Sequence, residues 1–204
     1  MPVYTFRTIQ QPAEGLYKEK GSRFLAFAYP VTHEAALKTA LEALKKKYFD
    51  ARHHCFAWVL GPDKKFFRSF DDGEPNHSAG DPILGQIRSK DLTDVLVVVV
   101  RYFGGTKLGV GGLISAYKTA AQEALSQAVI VEREVLEAVT LTYAYEATPE
   151  AMKLVKEFEL IIAEQAFELQ CLLRATMPLR AKQAFVEKLN LLRALGVQIE
   201  ADIS

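Results

Sequence analysis

Five glycines, Gly104, Gly105, Gly109, Gly111 and Gly112, crowd the single strand-to-helix connection in VVVVRYFGGTKLGVGGLISAY, residues 97–117. Glycine permits backbone angles that side chains forbid and lets another group approach the main chain closely. A helix that opens straight after such a loop presents unpaired N–H groups and the positive end of its dipole, and both favour an anion. Arg101 and Lys107 flank the loop and add positive charge, with Tyr102 beside them. The chemistry these residues compose is a phosphate or carboxylate site. The bare alternative is a tight, glycine-packed turn without a ligand. Standard nucleotide motifs do not fit. A P-loop needs Lys and then Ser or Thr directly after its last glycine, whereas Val110 follows Gly109 and Lys107 lies too early. The dinucleotide spacing also fails, because the run from Gly109 to Ile114 lacks the third glycine in place.

Two further clusters could do chemistry. Asp50-Ala51-Arg52-His53-His54-Cys55 precedes an apolar stretch. Its histidines and thiol could ligate zinc, but adjacent His53 and His54 point opposite ways on an extended chain, and no CxxC or HExxH spacing is present. Cys55 could act as a nucleophile beside a histidine; a small buried thiol at a strand start is the reading its position favours. Asp71, Asp72 and Glu74 open a long polar segment and could hold magnesium. A hydrogen-bonded acidic turn is favoured, because Asp and Gly select turns for local reasons. No residue is assigned a catalytic or metal-ligating role, and no cofactor is expected.

Elements must hold these clusters in place. Residues 4–9, 16–20 and 23–31 read as strands, and Thr32 as the N-cap of a helix over residues 33–48 whose tail is Lys45-Lys46-Lys47. Residues 55–60 and 66–70 read as strands, residues 71–81 as loop, and a helix starts near Pro82. Residues 95–102 form an apolar strand expected at the centre of a sheet covered on both faces. A helix over residues 113–129 follows the glycine loop. Beyond residue 135 the pattern is strand 135–145, a helix opened by Thr148-Pro149, strands 161–167 and 169–177, a helix from Pro178 to Leu195, and strand 197–199. That order, β-α-β-β-α-β, is the split pattern of ferredoxin-like domains. The chain therefore reads as α+β in two domains, residues 1–134 and 135–204.

Composition sets limits. With 204 residues, half of them hydrophobic and a quarter charged, the chain is of globular type. Its longest apolar run is too short to cross a bilayer, and MPVYTFRTIQQPAEG shows no secretory signal, so a cytoplasmic chain with reduced Cys55 and Cys171 is expected. The formal net charge is zero, which argues against strong nonspecific nucleic-acid binding. Residues 1–134 hold 18 basic and 15 acidic side chains against 7 and 10 in residues 135–204, which allows a local basic face on the first half.

The run Gly80-Asp81-Pro82-Ile83-Leu84, then VVVRYFGGTKLG at residues 98–109, together with ARHHCFAW, DDGEP and the SRF at residues 22–24, resembles the signature of the IMPACT family over most of residues 20–118. One departure is visible. Family loops often follow DDGEP with Gly-Thr-Ala-Gly, where this chain has His77-Ser78-Ala79-Gly80. The resemblance implies a first domain like the fourth domain of elongation factor G and the second domain of a small-subunit ribosomal protein. It implies a second domain like the ferredoxin-like fifth domain of that factor. Eukaryotic relatives regulate translation under amino-acid starvation by binding a ribosome-associated activator of a kinase. The function this implies is a translation-associated regulator that binds RNA, the ribosome or a ribosome-associated protein without catalysis. The binding surface expected is the glycine loop with Arg52, His53, His54, Arg101, Tyr102 and Lys107, and the acidic loop of Asp71, Asp72 and Glu74. The competing reading is a small-molecule or nucleotide-dependent enzyme that uses the same glycine loop and the carboxylates of residues 71–74.

Overall fold

The computed structural model describes residues 2–203. Helices and β-sheets are mixed throughout, so the fold is α+β. Contacts divide the chain into two compact units. One is Phe6–Arg133; the other joins the residues up to Thr5 to those from Glu134 onward. Among the described residues no helix is long and apolar enough to cross a membrane.

The larger unit runs β1 (Thr5–Ile9), β2 (Ala13–Glu19), β3 (Ser22–Pro30), α1 (Glu34–Lys47), β4 (His53–Leu60), β5 (Phe66–Phe70), α2 (Gly80–Ser89), β6 (Val95–Tyr102), α3 (Gly109–Gln127) and β7 (Ile130–Glu134). Strands β1 and β7 pair with each other, and the other five form one sheet in the order β2-β3-β6-β4-β5, every pair antiparallel. Strand β6 is central, as its unbroken apolar run predicts. Side chains alternate across a strand. Val95, Val97 and Val99 therefore pack with Ile83, Ile87, Leu113 and Tyr117 of α2 and α3. Leu96, Val98 and Val100 pack with Leu37 and Leu44 of α1 on the opposite face. Both registers are covered, so both are apolar.

The smaller unit runs β8 (Leu136–Tyr143), α4 (Thr148–Glu157), β9 (Ile161–Phe167), β10 (Cys171–Pro178), α5 (Lys182–Ala194) and β11 (Ile199–Ile203). Its sheet has the order β11-β8-β10-β9, antiparallel throughout. Leu141, Tyr143 and Leu173 of the sheet pack with Leu154 of α4 and Phe185 of α5. The ring of Phe185 meets Phe158 edge-on at 5.3 Å.

Several boundaries differ from the sequence expectation. Helix α1 is capped by His33 without a side-chain bond, while the Thr32 hydroxyl contacts His33 Nδ1 at 3.1 Å. Helix α2 starts at Gly80, two residues before Pro82; a first-turn N–H has no partner inside the helix, so proline is tolerated there. Helix α3 starts at Gly109, four residues before Leu113. Thr148 is the first residue of α4 and not its cap, its hydroxyl donating to the Tyr145 carbonyl in the preceding 3-10 turn. Pro178 ends β10, and a 3-10 turn, Leu179–Ala181, separates it from α5. Gly196, at φ +84°, stops α5, and the last strand follows at Ile199–Ile203 instead of residues 197–199.

Candidate functional site

The early start of α3 changes what the glycines are. Gly109, Gly111 and Gly112 lie in the first turn of the helix, not in the loop before it. Gly109 has φ +72°, a left-handed angle that disfavours any other residue. A Cβ at Gly105, Gly109 or Gly111 would meet nothing within 4 Å, so this surface is open. Gly104 is different: its Cβ would fall 1.9 Å from the Gly21 carbonyl carbon, in the turn between β2 and β3. Gly104 closes that contact, and its N–H donates to the Ser22 hydroxyl at 3.1 Å.

A cleft of about 440 Å³ opens beside this helix terminus. Its walls are Arg52 and His53 at the start of β4, Glu74 and Pro75 of the acidic loop, and Arg101 near the end of β6. The remaining side is Phe103, Lys107 and Leu108 of the loop with Gly109, Val110 and Leu113 of α3. The mix of apolar wall and a few polar groups is that of a small-ligand site, and the volume lies in that range. Arg52, Phe103 and Lys107 are exposed.

Below the cleft lies a buried polar cluster. Glu74 Oε1 accepts from Arg101 Nη1 at 2.6 Å and from the Tyr117 hydroxyl at 2.7 Å. The side chains of Arg101 and Glu74 are 7% and 4% exposed, so the ion pair is largely out of water. The Cys55 thiol donates a hydrogen bond to the Asp71 carbonyl at 2.9 Å and lies 3.3 Å from the Tyr117 hydroxyl. Burial pushes the pKa of Cys55 well above that of a free thiol, and burial does the same to the Tyr117 hydroxyl. The thiolate needed for nucleophilic attack is therefore disfavoured.

The acidic segment is a hydrogen-bonded turn. The Asp71 carboxylate accepts from the N–H groups of His77, Ala79 and Gly80 at 2.9, 3.0 and 2.8 Å, and so caps α2 across the loop. The Asp72 carboxylate accepts from the His54 N–H at 2.7 Å. His77 sits at φ +63°, a left-handed angle that glycine adopts more readily than other residues. Its Nδ1 is 2.6 Å from Asp81, and the Ser69 hydroxyl and His77 together hold the Asp81 pKa below its ordinary value. Ser78 is buried and donates to the Pro75 carbonyl at 2.6 Å. Among the described residues no three His, Cys, Asp or Glu side chains converge as a metal ion would need.

The two histidines do point apart. His53 Nδ1 lies 2.8 Å from the Asp72 carbonyl; since a carbonyl only accepts, Nδ1 carries the proton. His54 is buried, and burial lowers its pKa against the opposing pull of Asp72. Of the residues expected at the site, Arg52, His53, Glu74, Arg101, Lys107 and Gly109 meet at the cleft. His54, Asp71, Asp72, Tyr102, Gly104, Gly105, Gly111 and Gly112 do not line it. Tyr102 instead donates to Asp50 at 2.6 Å. The expectation of Arg101 as a freely offered cation needs correction, since Glu74 already balances it. Phe103, Leu108, Val110 and Leu113 were not expected in the cleft; Phe103 and Val110, both within the glycine-rich run, are apolar and more than half exposed.

Residues 20–125, which include the whole cleft, match the family model described as the Impact N-terminal domain. The chain is 35% identical to IMPACT family member YigZ of Escherichia coli over 172 residues, covering 83% of this chain and 84% of that protein. It is also 35% identical to IMPACT family member YvyE of Bacillus subtilis over 66% of this chain, which spans 62% of that relative's length. Against the Protein IMPACT homolog of Saccharomyces cerevisiae, identity is 38% over 45% of this chain and 36% of the yeast protein. A solved crystal structure of a hypothetical protein superposes with a TM-score of 0.75 at 30% identity, covering 97% of both chains. The chain belongs to the IMPACT family.

Proposed function

We propose that this IMPACT family protein is a non-catalytic, translation-associated regulator that acts in the cytoplasm by binding RNA on or near the ribosome. One observation carries the reading. The cleft at the α3 N-terminus has two exposed cations, Arg52 and Lys107, on its rim, and neither makes a hydrogen bond or ion pair among the described residues. Helix N–H groups and free cations around an apolar wall suit a phosphate on a larger ligand. The family resemblance implies a larger unit like the fourth domain of elongation factor G and a smaller one like its ferredoxin-like fifth domain, and this supports the same surroundings. It is an analogy of fold. Enzymatic use of the carboxylates is the weaker reading, because Asp71, Asp72 and Glu74 are each committed to a structural hydrogen bond.

The test is binding of ribosomal RNA fragments and of ribosomes to the full chain across a salt series. Phosphate contacts make affinity fall with salt, with a slope of about −0.7 per contact on a single strand. The wild type should bind at low salt, and Arg52→Ala with Lys107→Ala should flatten that slope by about 1.4. No binding at low salt, or an unchanged slope in the double variant, overturns the proposal.

A further inference from the structure

We propose that the cleft beside α3 holds one unstacked nucleotide of a single-stranded RNA, with its base against the outward face of Phe103. The inference rests on the RNA-binding reading above and narrows it from phosphate contact to contact with an unpaired base.

Phe103 is 53% exposed and stands in the cleft wall, so a large apolar ring faces the space a ligand would fill. It is also held in position. The Arg101 guanidinium carbon lies 5.6 Å from the centroid of the Phe103 ring and 5.5 Å from that of Phe24. Both distances are in the cation–π range. Phe24 is fully buried, and Arg101 is tied to Glu74. Arg101 is thus within reach of one ring in the core, Phe24, and one at the surface, Phe103. Arg101 cannot leave without breaking a buried ion pair, so this neighbour of the Phe103 ring is fixed, while more than half of Phe103 stays open to solvent. An exposed aromatic ring with a fixed neighbour is what a base stacks on, and pre-fixing the ring lowers the ordering cost of binding.

The surroundings supply the rest of a nucleotide site. Lys107 and Arg52 reach the cleft as free cations for the flanking phosphates, and the first turn of α3 faces it. Arg101, 6% exposed and part of the wall, keeps its Nε without a hydrogen-bond partner among the described residues. A buried donor without a partner is costly. A cleft of about 440 Å³ suits a single nucleotide and not a length of duplex. A paired base inside a duplex also offers no free face to Phe103. The ligand class is therefore single-stranded RNA.

The experiment measures anisotropy of a short fluorescent poly-U strand, a duplex RNA of the same length and free UMP as competitor, all with the full chain at low salt. Phe103→Ala should weaken the single strand by about 5- to 150-fold, the range for loss of one base–aromatic stack. Phe103→Trp should restore it, and neither change should alter duplex binding. Phe103 is exposed, so both variants leave the core untouched. Single-strand affinity that is unchanged in Phe103→Ala, or a loss that Phe103→Trp does not restore, overturns the base-stacking inference and leaves RNA binding standing. UMP competing as well as the strand would overturn the strand in favour of a free nucleotide. Failure of every RNA to bind would remove the RNA reading and this inference together.

Discussion

Glu74 is the residue on which the cleft wall depends. Its single oxygen Oε1 accepts from both Arg101 and Tyr117, which come from β6 and α3, so one carboxylate joins the loop to the sheet and to the helix. Taking two charges out of water costs several kcal/mol per ion, and their attraction offsets that only while the pair is complete. Removing one partner leaves the other buried and uncompensated. Arg101→Met should therefore cost about 3–5 kcal/mol of stability, and Glu74→Gln a similar amount. The double variant should cost distinctly less than the sum of the two, because it leaves no unpaired charge. Urea unfolding of the full chain and its variants measures this. Additive losses would show that the two side chains act separately and that the ion pair is not what fixes the loop.

At the scale of elements, the glycines of the α3 connection divide into two kinds that spacing alone does not separate. Gly104 is a close-packing position against the turn at Gly21, whereas Gly111 is a helical residue facing open space. Gly104→Ala should destabilise by about 1–3 kcal/mol or more, since the clash is with backbone that cannot rotate away. Gly111→Ala should stabilise by about 0.5–1 kcal/mol, since alanine loses less entropy in a helix. Thermal melts of both variants check the pair, and a destabilised Gly111→Ala would show that a glycine is needed in that turn. The same region shows what a sequence can and cannot express. Strand β6 was legible because its two faces are both apolar. The start of α3 was not, because glycine is a poor helix former, and here burial of Leu113, Ala116 and Tyr117 outweighs propensity. The turn made by Asp71 was legible as a turn; that it caps α2 was not, since the cap acts across eight and nine residues. The Glu74–Arg101 pair spans 27 residues and follows no period, so only the sheet reveals it. An aromatic directly after an apolar strand is ambiguous in a sequence, so only the structure shows that Phe103 is exposed.

Across the whole molecule the formal charge is zero, so no long-range field of one sign can draw RNA to the protein. Attraction has to come from where the cations lie. The Debye length is about 8 Å at physiological ionic strength, which confines an exposed charge to its own neighbourhood. Changes of equal size in net charge should then have unequal effects. Arg52→Glu with Lys107→Glu places two negative charges at the cleft and should abolish measurable binding to the single strand. Arg174→Glu with Lys188→Glu alters net charge by the same amount in the smaller unit, at an exposed and a half-buried residue paired with Glu164 and Glu157. Surface ion pairs of that kind contribute little to stability, so the chain should remain folded and bind RNA nearly as well as the wild type. Parallel salt titrations of both double variants measure the difference. Equal loss in the two would mean that binding follows total charge, and the cleft would then have no special claim on RNA.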